Sequence, residues 1–508
     1  MSSIDTLQRL QVSDLAYLAP ELTLVIAAVV FSLLDLAMPR DFNRSAIGWL
    51  TLVALAGSAA FVAMQLGVEQ PISLLNQSYR VDDFALVLKL VFLVGTAIAV
   101  LISLGMKKED LGGEDVGEYY YFYLPATLGA MVVASSADLI MLFVGLELLS
   151  ITTYVMVGMR KRVSVSSEGA FKYVVMGGIS SAFILYGMSF LYGLTGSTNL
   201  LEINGALREG GIDQFAALLY MAFFLMLTGI GFKIAAAPFH AWAPDVYQGA
   251  ATPVAAYLAV VSKAAGFALL FRLFYTGFFQ VGTEQYPLHD DMFLALSVLA
   301  ATAMIVGNAM ALRQQNVKRL LALSGVANAG YLLVPVVAQV GLFHVSGYAE
   351  LVYYLIAYLF MNMGAFAALA IVSRASGHDE VSGFAGLYHR APGTAFAIVL
   401  LVLSLAGIPV TGGFFGKLFI LLGAVEMKLF WLALVMIVTS VVSFYYYFGL
   451  IRQMFMRSGP EESTLSIPPA LGVALWVSAI AGVLLGFFPG PVLNALEQWF
   501  RFTTDFFA

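Results

Sequence analysis

Cysteine is absent from all 508 residues, so the chain can form no disulfide, hold no iron–sulfur cluster through thiolates and use no thiol chemistry. Charge is scarce as well. Asp, Glu, Lys and Arg make up 11% of the sequence, against about 25% in soluble domains. The net charge of −6 contains no basic block, which argues against nucleic acid as a partner. The five histidines, His240, His289, His344, His378 and His389, fall in loops or at breaks in apolar sequence, so no pair is placed to ligate a haem within a membrane. No glycine-rich phosphate loop or metal cluster is present. A cleaved signal peptide is not expected either, because apolar sequence begins near Leu15 and runs too long for a signal core.

What is abundant is apolar. Hydrophobic residues make up 61% of the chain, and a membrane span needs about 20 of them in succession. This reading predicts an all-α polytopic membrane protein with about fourteen spans, at 15–38, 45–66, 83–104, 119–135, 138–159, 168–194, 217–237, 252–272, 292–312, 317–338, 349–373, 394–424, 428–451 and 468–487. Two spans are interrupted. Span 7 ends at Pro238 and is expected to continue as a short helical piece through Trp242, and span 12 is broken by "AGIPVTGG", Ala406 to Gly413. Proline removes a backbone donor and clashes with the preceding turn, so each break frees carbonyls that only protein or water can satisfy. The breaks lie five spans apart. That suggests two inverted five-helix repeats, spans 4–8 (119–272) and 9–13 (292–451), with spans 1–3 (1–118) and span 14 (468–487) outside them.

The 25 basic residues then fall into three groups. With the N-terminus outside, 14 lie in loops on the inner side and 6 on the outer, Arg80 and Arg272 among the outer and Lys318 among the inner. The positive-inside rule therefore puts both termini on the outer, periplasmic side. The remaining five, Lys89, Lys172, Lys233, Lys263 and Lys417, lie within spans, and all are lysine although arginine is the commoner residue. Arginine stays protonated essentially always, whereas lysine can give up its proton when desolvated. A lysine at a span centre costs about 2.5–3.5 kcal/mol, so several of them imply a function.

Lys263 is mid-span, Lys233 stands one turn before the first break and Lys417 begins the half-span after the second. Lys172 is close enough to the inner surface to snorkel, and Lys89, near the outer end of span 3, reads as an anchor at the interface. Among the acids, Glu147 in "DLIMLFVGLELLSITTY" is about ten residues into span 5, near the midplane. It needs a buried partner, and Lys233 is the candidate. Glu21, two turns into span 1, is open to either an interface or a buried role. Opening a Glu147–Lys233 pair would free a proton to pass toward Lys263, a switchable relay. A static ion pair that fixes helix packing is the competing account. His240, in "PFHAW" at the break, could extend a proton path or simply cap the turn.

At these residues the sequence becomes familiar. "FKIAAAPFHAWAPDVYQGAATPVAAYLAVVSKAAGFALLFRL" closely resembles helices 7 and 8 of the antiporter-like membrane subunits of respiratory complex I, the proton-pumping NADH–quinone oxidoreductase. "PFHAWAPDVYQGA", the "SK" of span 8 and "GIPVTGGFFGKL", with lysine where the M-type members typically have glutamate, favour the bacterial N-type members, counterparts of mitochondrial NADH dehydrogenase subunit 2. The resemblance covers nearly the whole chain. It implies fourteen helices in two inverted repeats and assigns Glu147 and Lys233 as a pair, Lys263 as the central relay and Lys417 as the terminal lysine; Lys172 and His240 stay candidates for supporting roles from the reading of the residues alone.

It further implies that this chain binds no redox centre. NADH, FMN, iron–sulfur clusters and quinone would belong to partner subunits, and the chain would work in a hetero-oligomer beside other antiporter-like subunits in the bacterial plasma membrane. Ferredoxin-linked relatives carry a similar segment, which leaves the electron donor open. The alternatives are a multisubunit Na+/H+ antiporter, which shares the fold, a scaffold whose lysines only dock helices, and, more distantly, a solute transporter.

Overall fold

Twelve helices among the described residues are long and apolar enough to cross a membrane, and they coincide with twelve of the expected spans. The computed structural model describes the chain from Gln11 to Phe506 except residues 40–42, 68–69, 112, 114–115, 210–214, 284–285, 339–346, 460–464 and 501–504; His344 and the loop residues Arg9, Arg40 and Arg501 thus lie outside the described residues. In chain order come α1 (Ala19–Ala37), α2 (Ser45–Gln65), a short antiparallel hairpin of β1 (Ile72–Leu74) and β2 (Tyr79–Val81), α3 (Asp83–Gly105), α4 (Lys108–Leu111), α5 (Val116–Tyr121), α6 (Tyr123–Ser135), α7 (Leu139–Gly158), α8 (Ser164–Thr195), α9 (Leu200–Glu209), α10 (Ala216–Lys233) and α11 (Ala243–Gly249). Then follow α12 (Thr252–Tyr257), a π-helical turn over Leu258–Ser262, α13 (Lys263–Arg272), a second π-turn over Leu273–Gly277, α14 (Leu288–Ala311), α15 (Val317–Val337) and α16 (Gly347–Ser376). The chain closes with α17 (Leu387–Arg390), α18 (Pro392–Ala406), α19 (Gly412–Glu426), α20 (Phe430–Met456), α21 (Pro469–Phe487) and α22 (Pro489–Trp499).

Two expected spans are composite. Span 4 is α5 and α6, parted at Phe122, where Pro125 has no N–H to offer the carbonyl of Tyr121. Span 12 is α18 and α19. Span 7 differs in detail from the expectation. No helix runs through Trp242; residues 235–242 form turns, with Ala235 at φ 55°, and helix resumes only at Ala243, with Pro244 in the first turn where its missing donor costs nothing. Sequence periodicity did not reveal the hairpin, α9 or α22.

Burial shows how the helices are arranged. The span Thr252–Gly277 and α15 are entirely enclosed, α16 and α3 nearly so, whereas α1, α2, α8 and α20 turn most of their surface outward. Those outer faces are apolar, as lipid requires. Close packing at the centre depends on missing side chains. A Cβ on Gly307 would stand 2.5 Å from the Ala327 nitrogen, and one on Gly330 would stand 2.6 Å from the Ala300 oxygen, so only glycine lets α14 and α15 approach this closely.

Candidate functional site

Lys233 ends α10, and its ammonium donates to Ser150 Oγ of α7 at 2.9 Å. Glu147 lies one turn earlier on α7, partly buried, and accepts a hydrogen bond from Ser181 of α8. No direct Glu147–Lys233 ion pair is recorded among the described residues. The two expected partners thus do not touch directly; the Ser150 hydroxyl stands on the lysine side and Ser181 on the glutamate side. Neither serine was singled out from sequence.

Lys263 opens α13 directly after the π-turn, and its stem leans toward α15 and α16. It donates to the Gly325 carbonyl, and Tyr358 Oη lies 3.5 Å from its nitrogen. Gly325 itself has to be small, since a Cβ there would stand 2.9 Å from Lys263 Nζ. Gly266, one turn beyond Lys263, lets α13 pack against the end of α10, since a Cβ there would stand 2.7 Å from Ile234 Cγ2.

Lys417 lies on α19 and reaches back to the end of α18. There Gly407, at φ 84°, closes the helix by returning its N–H to Leu403 and Ser404, which leaves the carbonyls of Leu405 and Ala406 unclaimed. Lys417 Nζ takes both, at 3.2 and 3.4 Å. The negative end of the helix dipole thus faces an ammonium, and the Tyr331 ring lies 4.8 Å from the nitrogen. Between Lys263 and Lys417, α15 presents Gly325, Asn328 and Tyr331 in turn. Asn328 Oδ1 accepts from Tyr354 Oη at 2.5 Å, and Tyr354 packs against Gly416, the neighbour of Lys417. Amide and phenol groups in fully apolar spans were the sequence signal for this row, and it was not read.

The remaining candidates separate from the axis. Lys172 is partly exposed and pairs with Asp245 of α11 at 2.6 Å and with Glu168 at 2.7 Å, while Arg319 holds the other Asp245 oxygen at 2.5 Å. His240 packs its Nε2 3.2 Å from Met310 Sδ on α14, away from Lys233.

Three expectations about charge are corrected. Lys89 is not an anchor; it is fully buried and pairs with Glu21 at 2.8 Å. Arg272 and Arg80 are not exposed in an outer loop. Asp82 takes Arg272 through both oxygens at 2.6 Å, and Arg80 lies 3.8 Å from the same carboxylate. Lys318 is buried too, held by Asp379 at 2.9 Å and the Ala250 carbonyl at 3.1 Å. Buried arginine therefore exists here, where a buried carboxylate holds it. Among the described residues no group of three or more His, Cys, Asp or Glu side chains could hold a metal ion.

Residues 136–443 match the family described as NADH:quinone oxidoreductase/Mrp antiporter, TM. The chain is 52% identical to NADH-quinone oxidoreductase subunit N of Paenibacillus sp. (strain JDR-2), covering 97% of this chain and 98% of that one. It superposes on a chain of respiratory complex I from Thermus thermophilus with a TM-score of 0.78 at 33% identity, over 95% of this chain and 100% of that one. A chain of the Mrp complex from Dietzia sp. DQ12-45-1b, at 18% identity and a TM-score of 0.75 over 96% and 97% of the two chains, shares the fold. A continuous helical core that carries lysines through its enclosed centre, matched over its whole length at this identity, makes the chain a member of the subunit N family of antiporter-like NADH–quinone oxidoreductase membrane subunits.

Proposed function

We propose that this chain, a membrane-arm subunit of NADH–quinone oxidoreductase, moves protons along its buried lysine axis, driven by quinone reduction in partner subunits. Glu147 and Lys233 gate the path through Ser150, Lys263 relays, and Lys417 passes the proton to an exit or to the next subunit. One observation carries this reading: the three axial ammonium groups rest on hydroxyl and carbonyl oxygens. Such partners stay neutral when the lysine loses its proton, so deprotonation strands no opposite charge in a low-dielectric core. Lys172 and His240 act at most as supports, the first fixing α11 through Asp245.

The segments 119–272 and 292–451 form two inverted repeats, with 1–118 and 468–487 outside them. In support, each holds one interrupted span with a buried lysine at the interruption. NADH, FMN, iron–sulfur clusters and quinone belong to partner subunits. The chain lies beside other antiporter-like subunits in a bacterial plasma membrane, both termini outward, as the distribution of basic residues supports.

The deciding experiment is Lys263→Ala in the assembled complex. Subunit content should stay at the wild-type level while proton pumping falls about tenfold or more, as loss of a positioned proton-transfer group predicts. Wild-type pumping with intact assembly rejects the relay. Loss of assembly in step with pumping favours the scaffold. A sodium-dependent pH gradient without an electron donor would point to cation/proton antiport.

A further inference from the structure

Helix α3 lies outside the proposed repeats, yet it is more enclosed than most of the helices within them. Its buried face carries Lys89, Thr96 and Ser103 at intervals of seven, which places them on one line along the helix, and all three are fully shielded. Each meets a hydroxyl from another element. Ser103 Oγ lies 3.3 Å from Tyr123 Oη. Thr96 Oγ1 lies 2.7 Å from Thr127 Oγ1, which lies 3.3 Å from Tyr257 Oη, in the turn just before the π-segment that ends at Lys263. Lys89 Nζ is 2.9 Å from Tyr79 Oη and 2.8 Å from Glu21 Oε1. Gly95, beside Thr96, brings α3 onto that π-segment; a Cβ there would stand 2.8 Å from Val261 Cγ2.

Helix packing alone does not call for this line. Apolar side chains would fill the same volume without the cost of desolvating an ammonium and a carboxylate. The hydroxyls are also poised to turn. Thr96 and Thr127 each face a carbonyl of their own helix, at 2.6 and 2.8 Å, as well as each other, and Thr127 also faces Tyr257 Oη, so each has one proton and at least two acceptors. Rotating about Cβ–Oγ switches between them, which is the motion a hydroxyl needs to pass a proton on. Glu21 stands in the first turn of α1, at the membrane face that the basic residues assign to the outside, and is the least enclosed member of its triad.

We propose that Glu21, Lys89 and Tyr79 form a second proton-exchange site, fed from the Lys263 region through Tyr257, Thr127 and Thr96 and discharging at the outer face. In each cycle Lys89 gives its proton to Glu21, the carboxylic acid releases it outward, and the Lys89 amine is recharged from the threonine line, with water completing the steps at either end of that line. One proton enters and one leaves, and the pair passes through a neutral state. Asp82, which acts electrostatically on Tyr79, is itself held by Arg272 at 2.6 Å and lies 3.8 Å from Arg80. This site rests on the relay reading above, because Lys263 supplies its proton.

Lys89→Arg is the informative variant, since arginine keeps the ion pair but does not release its proton. In the assembled complex, Lys89→Arg and a Thr96→Val/Thr127→Val double variant should each leave subunit content unchanged and lower protons pumped per NADH by about a half or more, because a positioned proton carrier has been removed. Wild-type pumping in both overturns the proposal and marks the triad as a static clamp. Should Lys89→Arg fail to assemble, the threonine variant, which adds no charge or bulk, decides alone. The Lys263→Ala result separates the two readings. Impaired pumping there with wild-type pumping in the α3 variants removes only this site, whereas wild-type pumping there removes both.

Discussion

Arg272 and Lys417 are both closed off from water, yet they keep opposite company. Arg272 is clamped by both oxygens of Asp82, donates to the Ala134 carbonyl at 3.0 Å, and has the Phe84 ring 4.4 Å from its guanidinium carbon. Lys417 has two carbonyls and an aromatic ring. One cation is saturated with charge and geometry. The other is held by groups that bind it without neutralising it. A guanidinium clamped by both oxygens of a carboxylate keeps its charge, whereas an ammonium resting on neutral oxygens fits the proposed reading that it can release its proton without stranding an opposite charge. Lys263, resting on the Gly325 carbonyl, belongs with Lys417.

The contrast can be broken most forcefully at Asp82. Asp82→Ala strands Arg272, and removing one partner of a buried pair costs about 3–5 kcal/mol. Subunit content in membranes, or thermal unfolding in mild detergent, should fall sharply. A well-folded Asp82→Ala protein would mean that the clamp is not structural.

Lys417→Met is the matched opposite. It leaves two carbonyls without a donor, at about 1–3 kcal/mol each, and strands no charge. Assembly should hold while pumping fails, and collapse of the subunit on the scale of Asp82→Ala would erase the distinction drawn here. The mildest change is Ser150→Ala, which removes a single hydroxyl from the Lys233 ammonium. One hydrogen bond to a charged group is worth about 1.5–3 kcal/mol, so turnover coupled to pumping should drop by about ten- to a hundredfold, with the quinone site unaffected. Unchanged coupled turnover would show that Glu147 and Lys233 communicate without it.

The sequence exposes the axial lysines because an ammonium in an apolar run is costly wherever it occurs, and no knowledge of neighbours is needed to notice it. The breaks are legible for a similar reason, since Pro238 and Pro409 interrupt any helix. Partners are another matter. Asp82 and Arg272 are 190 positions apart, and nothing local announces their meeting. For the same reason Lys89 reads as a residue at a span end and Glu21 as open to either an interface or a buried role. Ser150 and Ser181 are silent in sequence because serine in a helix ordinarily bonds its own backbone. The rule that only lysine enters the interior failed at Arg272, where the end of span 8 packs against the start of α3 and the end of α6 and so becomes interior.

One consequence of the π-turn over Leu258–Ser262 concerns direction. A helix advances about 100° per residue, so a turn that holds one residue more than its α-helical counterpart resets the azimuth of everything beyond it. Lys263 is the first residue past that reset. Tightening the turn by a single residue would swing its ammonium off the Gly325 carbonyl and toward another wall of the core, with little movement at either membrane surface.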